Sequence, residues 1–275
     1  MSVSMITAPA QRPGGLAPDE GLPSSRGRSP LAAPGEPVLL SVMIPAFNVE
    51  SVLERTVTDT VDYLRRLQLT FEVVIADDGS IDRTPAVIDD LRRRFRELTA
   101  VRLSPNRGKG AAVRAAFAAA RGEHVIFMDA DGATSLDAIP IFLDALRHSD
   151  VVIASRHHPG SRIPVPQPPH RRLMGFIMRH LVKRVTGLKH QDTQCGFKMF
   201  RRESAEEIFR RQQIDRFAFD VELCFLARKL DYTVVELPVT WRNGPQSSVR
   251  ALGDSLIVVR DVFRVRWNDL RGLYR

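Results

Sequence analysis

Cysteine and long apolar runs are both scarce in this sequence of 275 residues. Two cysteines, Cys195 and Cys224, are too few for a disulfide framework, so we expect a reducing compartment. No run approaches the roughly eighteen apolar residues that span a bilayer, and the N-terminus lacks the apolar segment of a signal peptide. These features predict a cytoplasmic protein without a membrane-spanning helix.

Aromatic residues and the common nucleotide-binding motifs are also few or missing. Only 7% of the residues are aromatic, and a nucleic-acid-binding surface would need aromatic side chains among its basic ones, so we expect no nucleic-acid partner. No Gly-x-Gly-x-x-Gly follows the first predicted strand and no Walker Gly-Lys-Ser/Thr occurs, which argues against dinucleotide-dependent dehydrogenases and P-loop enzymes. The net charge of +8 nevertheless indicates an anionic partner, either a phosphorylated substrate or an acidic membrane surface.

The order of the predicted elements indicates one α/β domain between a tail and a terminal helix. Residues 1–36 are rich in Pro, Gly, Ala and Ser and are predicted to be disordered. Residues 37–245 alternate short apolar strands with helical patterns, which predicts βαβ units and a mostly parallel sheet. Residues 246–275 are predicted to form a basic amphipathic helix. The predicted strands are 38–44, 71–76, 100–103, 125–128, 151–154 and 232–239, and the predicted helices are about 50–67, 84–95, 109–121, 172–188 and from 217 onward.

The fourth of these strands ends at two carboxylates, Asp129 and Asp131. Burying a lone carboxylate costs more than one strand gains, so both are expected at the strand's carboxyl end, where open α/β sheets bind ligands. Two carboxylates followed by Gly132 and the hydroxyl of Thr134 suit a divalent cation that keeps positions open for phosphate oxygens. Because turns favour the same residue types, a simple strand-end turn stays an alternative on this motif alone.

Three further polar loops, at residues 45–48, 77–80 and 106–110, follow predicted strands. In a parallel sheet they would open at the same edge as Asp129. Together they offer a polar cradle, a lysine and tight glycine turns, which indicates a nucleotide site. The residues predicted to bind the nucleotide and the group attached to its phosphates are Pro45, Ala46, Phe47, Glu50, Asp77, Asp78, Gly79, Lys109, Asp129, Ala130 and Asp131.

These four loops, in this order, resemble those of inverting family-2 glycosyltransferases, whose nucleotide-sugar domain has the GT-A fold and a metal-binding Asp-x-Asp motif. The resemblance runs from about residue 38 to about residue 241. Within the family, segments 129–134 and 192–198 look most like those of dolichyl-phosphate β-glucosyltransferases, which are related to other polyprenyl-phosphate glycosyltransferases. The first loop departs from the common Pro-Ala-Tyr-Asn-Glu-Glu, because Phe47 and Val49 replace the tyrosine and the first glutamate.

The resemblance implies metal-dependent, inverting transfer of glucose from UDP-glucose to a polyprenyl phosphate, with Mg²⁺ or Mn²⁺ held by Asp129 and Asp131. Another nucleotide sugar such as GDP-mannose, or a soluble phosphorylated acceptor, stays an alternative. A nonenzymatic binding protein on the same scaffold is disfavoured by the intact aspartate pair. The implied catalytic residues are Asp131, Arg156 and Asp220, and the implied acceptor-binding residues are Arg156, Arg172, Asp192, Thr193 and Lys198.

Three residues of the second half also have simple structural interpretations. Lys198 would equally be a surface lysine, and Asp220 would favour a helix N-terminus by its charge alone. A general base at Asp220 is also less necessary here, because a phosphomonoester with a second pKa near 6 is largely dianionic at pH 7. Cys195 lacks metal-ligand spacing and is expected to be a small buried thiol.

Two predicted helices carry both apolar and basic side chains. Residues 172–188 place Arg172, Arg179, His180 and Lys183 opposite an apolar side. Residues 249–270 carry a stripe of Leu252, Leu256, Val259, Phe263 and Leu270 among arginines. Each helix could pack on the core or lie in the surface of an anionic membrane, and the second could also form a dimer. The membrane interpretation predicts a peripheral enzyme on the inner face of the membrane.

Overall fold

The computed structural model describes residues 37–165, 168–242 and 253–275. The predicted tail at 1–36 and the predicted boundary at 245 lie outside these residues. The described chain forms seven strands and eight helices. The strands are β1 (Leu40–Ala46), β2 (Phe71–Asp77), β3 (Leu98–Arg102), β4 (His124–Met128), β5 (Val151–Ser155), β6 (Phe197–Arg201) and β7 (Val234–Pro238). The helices are α1 (Leu53–Arg66), α2 (Thr84–Arg94), α3 (Lys109–Ala119), α4 (Ala138–Ala145), α5 (Pro169–Thr186), α6 (Arg202–Arg211), α7 (Phe219–Lys229) and α8 (Gly253–Leu270).

The strands form one sheet in the order β3-β2-β1-β4-β6-β5-β7. All neighbouring pairs are parallel except those of β6, which runs antiparallel to both β4 and β5. Because β6 is reversed, its first residue Phe197 pairs with the last residue of β4, Met128. The loop before β6 therefore lies at the same edge of the sheet as the loops that follow the parallel strands. This topology confirms the predicted α/β class, and it places the polar loops at one edge of the sheet.

Helices cover both faces of the sheet, so the five inner strands β2, β1, β4, β6 and β5 are largely buried on both sides. Alternate residues of β1 show the division: Val42 and Ile44 join the core formed with α1, α2 and α4. Met43 joins the other core, to which α3, α6, α7, α8 and the end of α5 contribute. A sheet buried on both faces explains why its strands are short continuous apolar runs without alternation.

Two predicted boundaries are wrong for identifiable reasons. β1 was expected to end before Pro45, yet the strand continues to Ala46, with Pro45 paired in register with Ala76 of β2. Proline is tolerated there because it lies next to the end of the strand. α5 begins at Pro169, earlier than predicted, because proline suits the first turn of a helix, where its missing N–H would have no partner.

α8 packs against α5 and α7, so the core-docking interpretation of this helix is confirmed for one of its sides. That side is not the predicted stripe: Val258, Val262 and Val265 are buried, whereas Leu256 and Phe263 of the stripe are exposed. α8 thus has two apolar sides, and only one of them faces the core. No helix among the described residues is long and apolar enough to cross a bilayer.

The turn that follows α8 returns Tyr274 to the core, where its side chain is buried. Its hydroxyl donates to Glu222 Oε1 at 2.5 Å. The same carboxylate accepts the backbone N–H groups of Gln213 and Ile214. Burial raises the pKa of Glu222 to about 7 despite these donors. Glu222 therefore ties α8 to the segment that leads into α7.

Candidate active site

Asp78 joins the loops that follow β2 and β3. Its Oδ1 accepts the backbone N–H of Arg107 at 2.8 Å, and its Oδ2 accepts the N–H of Gly108 and the side-chain amide of Asn106, each at 2.7 Å. Burial raises the pKa of Asp78, although the two N–H donors work in the opposite direction. The carboxylate thus fixes the shape of the 106–110 loop, and its predicted nucleoside contact stays a prediction.

Asp77 and Gly79 shape the loop after β2. The buried Asp77 accepts the N–H of Ser80 with Oδ1, and its Oδ2 lies 3.2 Å from Nε of Arg102. Gly79 has φ of 76°, and a Cβ there would press on the backbone N of Asn106. Glycine is needed here both for the left-handed conformation and for the close approach. Asp77 and Gly79 therefore hold the two loops together.

A cavity of about 540 Å³ opens between these loops and contains five of the predicted nucleotide-site residues: Pro45, Ala46, Phe47, Asp78 and Lys109. Six further residues of its wall were not among the predicted contacts, although three of them lie in the predicted loops. They are Asn48, Asn106, Gly108, Ala112, Arg216 and Phe217. Arg216 and Phe217 precede α7 and reach the cavity only through the tertiary fold, so no local pattern identifies them.

Glu50 does not line this cavity. Its carboxylate accepts the backbone N–H of Arg83 at 2.7 Å, and its own N–H donates to Asp82 Oδ2. Asn48 lies in the wall instead, with its side-chain oxygen accepting the N–H of Ile81. Glu50 therefore braces the loop from outside this cavity, and its predicted contact with the nucleotide stays a prediction.

The predicted metal pair lies at the carboxyl end of β4, as expected. Asp129 Oδ1 is 2.5 Å from Nζ of Lys109, and Asp131 Oδ1 accepts the N–H of Ala133. Burial and the neighbouring Asp129 carboxylate raise the pKa of Asp131. Ala130, between them, is buried. The backbone N–H of Asp129 donates to Gly196 O, and a Cβ on Gly196 would overlap the Asp129 carboxylate.

These two carboxylates fit a divalent cation such as Mg²⁺ or Mn²⁺, which prefers oxygen ligands. The ammonium of Lys109 already acts as a counter-ion there, so the site attracts positive charge. Among the described residues no group of three or more His, Cys, Asp or Glu side chains could hold a metal. A cation at Asp129 and Asp131 would therefore take its remaining ligands from phosphate oxygens and water.

On the opposite side of β4, Arg156 follows β5 and forms a two-pronged ion pair with the buried Asp192. Nε and Nη2 of Arg156 donate to the two carboxylate oxygens at 2.7 and 2.9 Å, and the backbone N–H of Arg156 donates to Oδ2. Burial alone would raise the pKa of Asp192, but Arg156 holds it well below its usual range. The carboxylate of Asp192 thus positions Arg156, and its predicted contact with the acceptor stays a prediction. The neighbouring Thr193 is buried.

A second cavity, of about 710 Å³, opens beside Arg156 and the first half of α5. It combines cationic and apolar side chains, which suits a ligand that has an anionic head and an apolar chain. Its wall includes Arg156, His157, Ile163, Arg172, Leu173, Phe176, Arg179, Asp192, Gln194 and Trp241. The structure thus brings the predicted residues Arg156 and Arg172 together.

Arg179 and His157 belong to this wall but were not predicted as site residues. Arg179 Nη1 lies 2.7 Å from Nε2 of His157, and burial lowers the pKa of His157. Arg179 is seven residues after Arg172, so the two lie on the same side of α5, two turns apart. That spacing was the available signal for Arg179, whereas the position of His157 depends on the loop after β5.

Lys198 is fully buried, so the surface interpretation of this lysine is wrong. Its ammonium donates to Asp220 Oδ1 at 2.5 Å and to the carbonyl of Cys195 at 2.7 Å. Asp220 lies in the first turn of α7 and is also buried. Cys195 and Cys224 are buried free thiols, as expected for Cys195. The predicted phosphate contact of Lys198 and the predicted role of Asp220 as a general base stay predictions. In this structure the two side chains form an ion pair with each other.

Comparison with known proteins identifies the family. The profile of Glycosyl transferase family 2 matches residues 41–209. The dolichyl-phosphate β-glucosyltransferase of Dictyostelium discoideum is 32% identical over 257 residues, which cover 88% of this chain and 78% of that protein. The human protein of the same name is 30% identical over 250 residues, covering 86% of this chain and 77% of that protein.

Among solved structures, glucosyl-3-phosphoglycerate synthase of Mycobacterium tuberculosis in complex with Mn²⁺, UDP and glucosyl-3-phosphoglycerate has a TM-score of 0.63. It is 18% identical in sequence, and the match covers 83% of this chain and 80% of that one. At this identity the likeness shows the shared GT-A fold. With the fold, the Asp-x-Asp pair at the sheet edge and the match over most of the chain in place, the protein is a glycosyltransferase of family 2.

Proposed function

We propose that the protein transfers glucose from UDP-glucose to the phosphate of a polyprenyl phosphate, with inversion at the anomeric carbon. One observation carries this proposal: Asp129 contacts a wall residue of one cavity and a residue close in sequence to the wall of the other. Its carboxylate pairs with Lys109 in the wall of the smaller cavity, and its N–H donates to Gly196, two residues after Gln194 of the larger one. A donor diphosphate and an acceptor phosphate would thus meet at the aspartate pair.

The smaller cavity would hold the nucleotide. Pro45, Ala46 and Phe47 shape its wall, and Lys109 would contact the diphosphate. A Mg²⁺ or Mn²⁺ ion held by Asp129 and Asp131 would stabilise the negative charge that develops on the leaving UDP. Support for UDP and for a divalent metal comes from the complex of the mycobacterial synthase, which contains both.

The larger cavity would hold the acceptor. Arg156 is kept in place by Asp192, while Arg172 and Arg179 add positive charge around the space where a phosphate would bind. The phosphate is largely dianionic at pH 7 because its second pKa is near 6, so its oxygen can attack without a protein base. Leu173 and Phe176 offer an apolar surface for the start of a polyprenyl chain. The names of the relatives support both glucose and the lipid phosphate.

We also propose that α5 and α8 rest on an anionic membrane. α5 exposes Leu173, Met174, Phe176 and Ile177 beside the larger cavity, and its neighbour α8 exposes Leu256, Phe263, Trp267 and Leu270 among arginines. Burial of the apolar side chains and attraction of the arginines to acidic lipids would both favour binding to the membrane. The acceptor cavity would then open toward its lipid substrate. The free thiols of Cys195 and Cys224 support a reducing compartment, and hence the inner face of the membrane.

The first test follows labelled glucose from UDP-glucose into the organic phase in the presence of Mn²⁺ and a polyprenyl phosphate. Wild type is compared with Asp131→Asn and with Asp144→Asn, a surface carboxylate outside the site. We expect transfer by wild type and by Asp144→Asn, and loss of at least about a hundredfold with Asp131→Asn. Transfer from GDP-mannose instead would overturn the donor, and transfer only to a soluble phosphorylated acid would overturn the acceptor.

The membrane proposal is tested by flotation with vesicles that contain or lack anionic lipid. The variant Phe263→Ser/Trp267→Ser removes exposed apolar side chains of α8, and Ile141→Ser removes one of similar exposure on α4. Wild type and Ile141→Ser are expected to float with anionic vesicles, and the α8 variant is expected to float less. Equal flotation of all three would show that α8 does not contact the lipid.

A further inference from the structure

Lys109 pairs with one of the two carboxylates that are predicted to hold a metal ion. Its ammonium is 2.5 Å from Asp129 Oδ1 and lies 5.7 Å from the centre of the Phe219 ring. The side chain is 23% exposed, so it has access to the cavity as well as to the carboxylate. In this arrangement Lys109 neutralises one of the two charges of the Asp129–Asp131 pair.

The backbone of Lys109 is held in place by the packing of its two neighbours. Lys109 is the first residue of α3, and the glycines on either side pack directly against backbone atoms of residues 214–216. A Cβ on Gly108 or on Gly110 would overlap carbonyl oxygens of that segment. Gly108 also has φ of 114°, which only glycine adopts without strain. An exchange of partners by Lys109 therefore requires only rotation of its own side chain.

The aspartate pair supplies too few ligands to hold a metal ion in competition with this lysine. Two carboxylates are present, and no third acidic or imidazole ligand completes a site among the described residues. Divalent magnesium in such sites usually keeps one or two carboxylates and completes its shell with substrate phosphates and water. A nucleoside diphosphate supplies those phosphates, and it also offers a new anionic partner to a lysine displaced from Asp129.

We propose that Lys109 is an exchangeable counter-ion of the metal site. Without nucleotide it occupies Asp129 and disfavours binding of the metal alone. When a nucleoside diphosphate enters, the ammonium moves from Asp129 to the diphosphate and the metal takes its place on the carboxylate. Metal and nucleotide then bind cooperatively, and the enzyme does not collect free metal between turnovers. This inference rests on the proposed function only in taking the donor to be a nucleoside diphosphate sugar.

The test measures free Mn²⁺ by electron paramagnetic resonance during titration of the full-length protein, first without nucleotide and then with UDP. Three variants are compared with wild type: Lys109→Met removes the charge, Lys109→Arg retains it, and Arg107→Met removes a charge from the same loop that does not contact Asp129. Thermal unfolding of each variant checks that the fold is intact.

Without nucleotide, we expect Lys109→Met to bind Mn²⁺ about tenfold more tightly than wild type, and Lys109→Arg and Arg107→Met to resemble wild type. With UDP, wild type should gain affinity for Mn²⁺ by a factor at least about five times the gain in Lys109→Met. Because such coupling is reciprocal, Mn²⁺ must raise the affinity for UDP by the same factor, which calorimetry measures independently.

Equal Mn²⁺ affinity of wild type and Lys109→Met without nucleotide would overturn the inference, as would equal gains on addition of a nucleotide to which the wild type responds. Failure of the proposed donor would look different. Wild type would then show no response to UDP but a response to another nucleotide such as GDP, while the comparison without nucleotide would still separate Lys109→Met from wild type. The metal-alone comparison thus tests the role of Lys109 whatever the base, the sugar or the acceptor.

Discussion

Replacing Lys198 by methionine would leave the Asp220 carboxylate buried without its partner. Both side chains are almost entirely inaccessible, and the ammonium and carboxylate atoms lie 2.5 Å apart. At an effective dielectric constant of about 20 their attraction is on the order of 7 kcal/mol. Loss of hydration on both ions offsets much of it, so the intact pair contributes little net stability. The unpartnered ion retains its unfavourable burial without the compensating attraction.

We therefore expect Lys198→Met to lower the free energy of unfolding by about 3–5 kcal/mol. That is a large part of the roughly 5–15 kcal/mol available to a typical domain. The double variant Lys198→Met/Asp220→Leu removes both charges and should recover most of the loss, because an apolar pair of similar volume is tolerated in such places. Lys189→Met, on the surface, should change stability by less than about 0.5 kcal/mol.

Urea unfolding of the four proteins measures these differences. A loss in Lys198→Met no greater than that in Lys189→Met would refute the reasoning about the buried pair. The double variant also tests the implied role of Asp220. A general base contributes about a hundredfold or more, so transfer within about tenfold of wild type would exclude that role for Asp220. A native-like double variant that loses more than a hundredfold would support a role in transfer for Asp220 or for Lys198.

Two further predictions follow from the same contacts. Gly196→Ala should displace the Asp129 carboxylate and lower the transfer rate at least about tenfold while the fold stays intact. Gly160→Ala should leave the rate unchanged, because its added methyl meets only side chains of Pro238 and a neighbouring histidine. Equal rates of the two variants would contradict the close approach of Gly196 to Asp129. Glu222, with a pKa raised from 4.5 to about 7, binds more protons when folded, so the free energy of unfolding should fall by up to about 3 kcal/mol as pH rises from 4.5 to 7. Urea unfolding across this range should show that the free energy of unfolding depends less on pH in Glu222→Gln than in wild type. The same pH dependence in both proteins would contradict the raised pKa of Glu222.

Local patterns in the sequence predicted the parts of the site that depend on strand ends. The aspartate pair, the loop containing Asp78 and the lysine at the start of α3 all follow strands whose apolar runs are plain in the sequence, and parallel pairing then places them at one edge. The fold class followed from the same alternation. These features needed only short-range information and the general geometry of parallel sheets.

Contacts between distant segments could not be predicted in the same way. Nothing near Lys198 in the sequence indicates that Asp220 will neutralise it, so a buried lysine was assigned to a substrate or to the surface. The pairing of Asp192 with Arg156 was likewise not predicted, because it joins residues 36 positions apart. On α8, apolar residues occur on two sides, and only the packing against α5 and α7 decides which side is buried.

The reversed strand β6 also has a consequence for how the protein is made. β4, which carries the aspartate pair at its end, has β6 as one of its two neighbours, although Met128 and Phe197 are about 70 residues apart in the chain. At about 5–20 residues per second, the ribosome exposes the apolar edge of β4 for roughly 4–14 s before its partner has been synthesised. An unpaired apolar edge invites aggregation, so the nascent chain should depend on chaperones during this interval.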